Sequence, residues 1–98
     1  MKSTFTYIME FRGGTYTTQV QSSNLDTSIK DWIEKIKEER EQIDQMGLKT
    51  IDEIKRELLS KDSVEKPVLL NGLENVWYFT ISTKQGFGRI HIIKTEKK

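Results

Sequence analysis

The apolar residues of this chain change period twice. Between residues 4 and 12 they alternate, with Phe5, Tyr7, Met9 and Phe11 on one side and Thr4, Thr6, Ile8 and Glu10 on the other. That is the period of a strand with one buried face. From Asp26 to about Gln45 the spacing becomes helical, with Ile29, Trp32, Ile33, Ile36 and Ile43 on one side of the wheel. From Val76 to Thr95 aromatic and β-branched residues return in two strand-like runs. A one-faced sheet and a one-striped helix each need a cover. The chain is therefore expected to form a two-layer α+β domain, an antiparallel sheet with a helical pair packed on one face.

Turn residues refine the order. Gly13-Gly14 between two alternating runs predicts a type I′ hairpin that pairs Arg12 with Thr15, placing Phe11 opposite Tyr16, Met9 opposite Thr18 and Tyr7 opposite Val20. Asn24 and Asp26 are candidate N-caps, and no proline or glycine interrupts the chain before Gly47, so a helix of about 20 residues is expected. Thr50-Ile51-Asp52-Glu53 has capping-box spacing within a second helix from Leu48 to Ser60. Asn71-Gly72 predicts a second type I′ turn after a short strand at Val68–Leu70. A last hairpin is expected to turn at Gln85-Gly86, setting Ile81 opposite Ile90 and Phe79 opposite Ile92, with Glu96–Lys98 as a frayed tail. The order reads β-β-α-α-(β)-β-β, and 98 residues suffice for one such domain, residues 1–98.

Composition narrows the setting. Leu, Ile, Val and Phe together make up 26 of 98 residues, enough for a charged chain to bury a core. Absence of cysteine removes disulfides, thiolate metal sites and a thiol nucleophile. No apolar run approaches the ~20 residues of a membrane span, and the N-terminus lacks a continuous apolar h-region. A cytoplasmic protein with no membrane association is expected. Eleven isoleucines and no alanine fit an AT-rich coding sequence of bacterial or phage origin.

Charge is segregated. Residues 24–66 carry a net −3 and residues 67–98 a net +3, within a formal total of +1. On the first helix Asp31, Glu34, Glu38 and Glu41 fall at spacings of three, four and three, opposite the isoleucine face and flanked by Lys30, Lys35 and Lys37. Such a stripe reads either as a solvated face or as a contact surface for a basic protein. Arg40 falls inside the apolar sector, so its guanidinium is expected to reach water or a carboxylate of the second helix, Glu53 or Glu57.

Chemistry-bearing residues are few. His91 is the only histidine, so neither a two-histidine metal set nor a serine triad has visible spacing. Gly13-Gly14 and Gly86-Phe87-Gly88 lie between strands, whereas phosphate-cradling loops lead from a strand into a helix. Gly88 is expected to mark a bulge or a close approach. The hairpin-then-helix order of about the first 45 residues resembles that of small antitoxins of the HicB type. Ser22-Ser23-Asn24 stands where that pattern carries a proline-rich connection, and no residue role is carried over.

The sequence thus points to a non-enzymatic interaction domain without cofactor or metal. The leading expectation is an immunity- or antitoxin-like inhibitor that binds a basic protein through Asp31, Glu34, Glu38 and Glu41. The alternative is a single-strand nucleic-acid platform on the open sheet face, using Tyr78, Arg89 and His91. Homodimerisation through that face or through an exposed edge strand is the third.

Overall fold

A computed structural model describes residues 2–59 and 67–95. Five strands and two helices follow in the order β1 (Ser3–Phe11), β2 (Gly14–Ser22), α1 (Leu25–Glu38), α2 (Leu48–Leu59), β3 (Val68–Leu69), β4 (Val76–Thr83) and β5 (Gly86–Thr95). The strands form one antiparallel sheet in the order β2-β1-β5-β4-β3. The α+β two-layer arrangement read from the periodicity is therefore the observed one. Ser60 and the tail at Glu96–Lys98 lie outside the described residues.

Both long hairpins form, each shifted from its expected register. Phe11 pairs with Gly14, so Arg12 and Gly13 occupy the turn, both with positive φ (50° and 81°). Phe5 then faces Val20, Tyr7 faces Thr18 and Met9 faces Tyr16. The turn takes Arg12 in place of Gly14 because the arginine is held in its left-handed conformation from outside. Its guanidinium bonds to the Asp44 carboxylate at 3.1 Å and to the carbonyl of Gln85. The last hairpin likewise pairs Thr83 with Gly86, with Lys84-Gln85 at the turn, so Phe79 faces Ile90, Ile81 faces Gly88 and Trp77 faces Ile92. Thr83 Oγ1 accepts the N–H groups of Gln85 and Gly86, a side-chain turn that overrides the glycine preference. Each shift moves a partner by two residues. Side chains alternate with period two, so every residue stays on its expected face.

One face of the sheet is the core. Phe5, Tyr7, Met9, Phe11, Phe79, Ile81, Ile90 and Ile92 are all buried, and they meet Ile29, Trp32, Ile33 and Ile36 of α1 and Ile51, Ile54 and Leu58 of α2. Trp32 is the hub. Its ring stacks on Tyr7 at 4.9 Å and meets Phe79 edge-on at 5.8 Å, which fixes α1 against both β1 and β4. Trp77, on the core face of β4, is only half-buried at the margin, 6.5 Å from Phe5. Gly88 makes no bulge, since the register runs through it; a Cβ there would lie 2.7 Å from Cγ1 of the buried Ile81.

α1 is shorter than its pattern. Asn24 caps it, its Oδ1 accepting the Thr27 N–H at 2.8 Å, but the helix ends at Glu38 and a 3₁₀ turn follows at Arg40–Gln42. The chain leaves the helical path to bury Ile43 and Met46, while the Asp44 N–H donates to the Tyr16 hydroxyl at 3.2 Å. Arg40 consequently does not reach α2; its guanidinium bonds to the Lys37 carbonyl at 2.7 Å, completing the end of α1. Glu53, its expected partner, instead accepts the Lys84 N–H at 3.1 Å and ties α2 to the last hairpin.

α2 begins at Leu48, before the expected cap, so Thr50 lies buried in its first turn, 3.5 Å from the Gln45 carbonyl. The Asn71-Gly72 turn also differs. Only Gly72 has positive φ, Leu73 bonds back to Leu70, and Leu70 pairs with Val76, so a five-residue loop replaces the two-residue hairpin.

Candidate functional site

α1 presents its inward side to the core and its outward side to solvent. Asp31, Glu34 and Glu38 are exposed along the outward side, with Lys30, Lys35 and Lys37 exposed on its flanks. Glu41 is exposed too, but on the 3₁₀ turn beyond the helix, so the four-residue helical stripe of the sequence reading is a three-residue stripe plus a detached fourth carboxylate. The Arg12–Asp44 ion pair lies elsewhere, and among the described residues no cation stands in ion-pair contact with any of these four carboxylates.

Glu41 leads into a recess that sequence patterning does not reveal. An open groove of about 640 Å³ is lined by Arg40, Glu41, Ile43, Met46, Leu48 and Lys49, and by Gln85 of the last hairpin. Ile43 and Met46 are buried behind it, while Leu48 stands 52% exposed at its edge. Leu48 is the first residue of α2. Its exposure depends on where the α1–α2 connection leaves the helix, a tertiary outcome.

The sheet face away from the helices brings the other candidates together. Tyr78 and His91 are cross-strand partners with rings 4.9 Å apart and tilted by 51°. The row continues through Ile8 and Thr17 on one side and Val68 on the other. His91 thus faces Tyr78 and Ile8, not Thr80 as the expected register had it. Arg89, two residues along β5, pairs with Glu10 of β1 and Thr80 of β4, and its guanidinium carbon lies 5.9 Å from the centre of the Phe87 ring. Arg89 is the only lysine or arginine among the described strand residues of this face, and Glu10 stands opposite it. A small cleft of about 230 Å³ adjoins them, lined by Glu10, Arg12, Thr15, Phe87 and Arg89.

Buried polarity is confined to the core. The Tyr7 hydroxyl lies 2.7 Å from Ser28 Oγ, which itself donates to the Leu25 carbonyl at 2.7 Å, so Tyr7 is the donor to the serine. Burial pushes the Tyr7 phenol well above its ordinary value, and the nearby Asp31 charge adds to the shift. No group of three or more His, Cys, Asp or Glu placed to hold a metal occurs among the described residues. No helix among them is long and apolar enough to cross a membrane.

The chain matches no known family model, and neither a curated protein nor a solved structure matches it. The antitoxin-like order of its opening is therefore a likeness of pattern.

Proposed function

We propose that this is a non-enzymatic binding domain, an inhibitor of the immunity or antitoxin kind, that captures a basic protein with the outward face of α1 and the groove at its end. One observation carries the reading. The un-neutralised stripe Asp31, Glu34 and Glu38 is followed by Glu41, which lines a recess backed by Ile43 and Met46 and edged by exposed Leu48. Anionic surface raises the rate of encounter and selects a cationic partner, and the exposed Leu48 beside the groove supplies the apolar anchor that charge alone lacks. The core contacts of Trp32 and Ile36 hold this surface in place, so little ordering is required on binding.

The sheet-face alternative has its aromatic pair in Tyr78 and His91. Its cationic surround amounts to Arg89, which faces Glu10, and Arg12, which is already paired with Asp44, so little free positive charge is left for tracking a phosphate backbone.

The test is affinity capture from a lysate of the source cells after nuclease treatment, with the wild type beside E34K/E38K/E41K and L48S. A basic protein retained through nuclease treatment, lost from the triple variant and weakened at least tenfold by L48S is the expected result. Thermal stability should stay nearly unchanged in the triple variant, because all three carboxylates are exposed and outside any ion pair of the described residues. Equal capture by the charge-reversed protein refutes the assignment of this face. Nuclease-sensitive capture lost on Y78A and R89A transfers the function to the sheet.

A further inference from the structure

The two edges of the sheet are unlike. β3 at one edge is two residues long, which is a common way of denying a foreign strand a template. β2 at the other edge runs nine residues, Gly14–Ser22, paired to β1 in an unbroken register without a bulge. It carries no lysine, no proline and no charge. It lies in the longest uncharged run of the chain, Gly13–Leu25, although 32% of the whole sequence is charged.

The geometry fixes which groups this edge offers. Phe11 and Gly14 flank a two-residue turn and so form a hydrogen-bonded pair, after which Tyr16, Thr18, Val20 and Ser22 direct their backbone groups to β1. Thr15, Thr17, Gln19 and Gln21 therefore turn their N–H and C=O groups out of the sheet, and no other described segment bonds to them. Their side chains lie exposed on the face away from the helices.

We propose that β2 pairs with the β2 of a second copy of this chain, antiparallel and centred on Thr18, extending the five-stranded sheet across a two-fold axis. This register is the one that pairs all four outward residues, Thr15 with Gln21 and Thr17 with Gln19 of the other copy, and satisfies every outward N–H and C=O on both strands. Registers centred on Thr17 or Gln19 leave one of the four unpaired. A strand without charge meets its own copy without like-charge repulsion. The exposed side chains also suit each other, as Gln19 Nε2 already donates to Thr6 Oγ1 at 3.0 Å across the same face. This inference stands apart from the role proposed for α1, since it uses none of the same residues.

Sedimentation equilibrium of the full chain tests it. The wild type is expected at twice the 11.5 kDa of one chain and to dissociate on dilution. T17K/Q19K sets lysine against lysine at both central pairs and should give a monomer, whereas T17K/Q19E sets lysine against glutamate and should restore the dimer. A wild type that stays monomeric up to millimolar concentration overturns the proposal, as does a T17K/Q19K variant that remains dimeric. A monomeric T17K/Q19E variant overturns the Thr18-centred pairing, because that register alone places the opposite charges together. Hydrogen exchange on the unmodified protein gives an independent reading. The amides of Thr15, Thr17, Gln19 and Gln21 should be protected at high concentration and exchange freely on dilution, and free exchange at every concentration refutes the pairing.

Discussion

Individual residues in this protein are set by what reaches them from distant segments. Arg12 adopts a positive φ beside a glycine able to do so because Asp44 and Gln85 hold its guanidinium. Tyr7 shows the same dependence in the core, where its hydroxyl donates to Ser28 and its ring lies on Trp32. Tyr7→Phe leaves the Ser28 oxygen without its donor and should cost about 1 kcal/mol at pH 8. The pH dependence has a definite sign. The phenol titrates higher in the folded protein than its ordinary value near 10, so this stability is fully present below pH 10. It is lost as pH rises above that value, where only the unfolded chain ionises, at roughly 1.4 kcal/mol per pH unit. Urea midpoints at pH 8 and pH 11 should therefore show the wild-type advantage over Tyr7→Phe cancelled or reversed at the higher pH. A constant difference would mean that Tyr7 ionises in the folded state.

At the scale of elements, existence and type were legible in the sequence, while lengths were set by tertiary contacts. β4 runs from Val76 to Thr83 as its composition indicates, and Asn24 caps α1 as its position indicates. Asn24→Ala should lower stability by about 1 kcal/mol in urea denaturation, with Asn24→Asp close to wild type because aspartate also accepts the Thr27 N–H. An equal loss in both variants would assign the cost to something other than the cap. The end of α1 was not legible, because nothing in residues 39–46 breaks a helix locally. The burial of Ile43 and Met46 and the bond from Asp44 to Tyr16 decide it, and these require the folded hairpin.

The whole molecule is joined at its middle by strands from opposite ends of the chain. β1 lies between β2 and β5, so the first hairpin is completed only when residues 88–95 arrive beside residues 4–11. Phe79, Ile81, Ile90 and Ile92 then supply the far half of the sheet's buried face. A fragment of residues 1–59 retains both helices and the first hairpin but loses these four side chains. It should show no cooperative thermal transition by circular dichroism, whereas the full chain should melt in one step. A sharp transition in the fragment would show that the first hairpin and helices hold a sufficient core alone.

Sequence by itself determined which residues face the core, because a period of two or of 3.6 assigns each side chain to a face, and an error of two in pairing leaves that assignment intact. It also placed Asp31, Glu34 and Glu38 on one exposed helix face and Tyr78, Arg89 and His91 on one sheet face. Only the tertiary structure decided strand order, the removal of Glu41 from the helix, the groove beside Leu48, and the choice of β2 as the long free edge. The physical reason is common to all four. Periodicity is a property of neighbouring residues, whereas edges, grooves and helix ends are fixed by the packing of segments far apart in the chain.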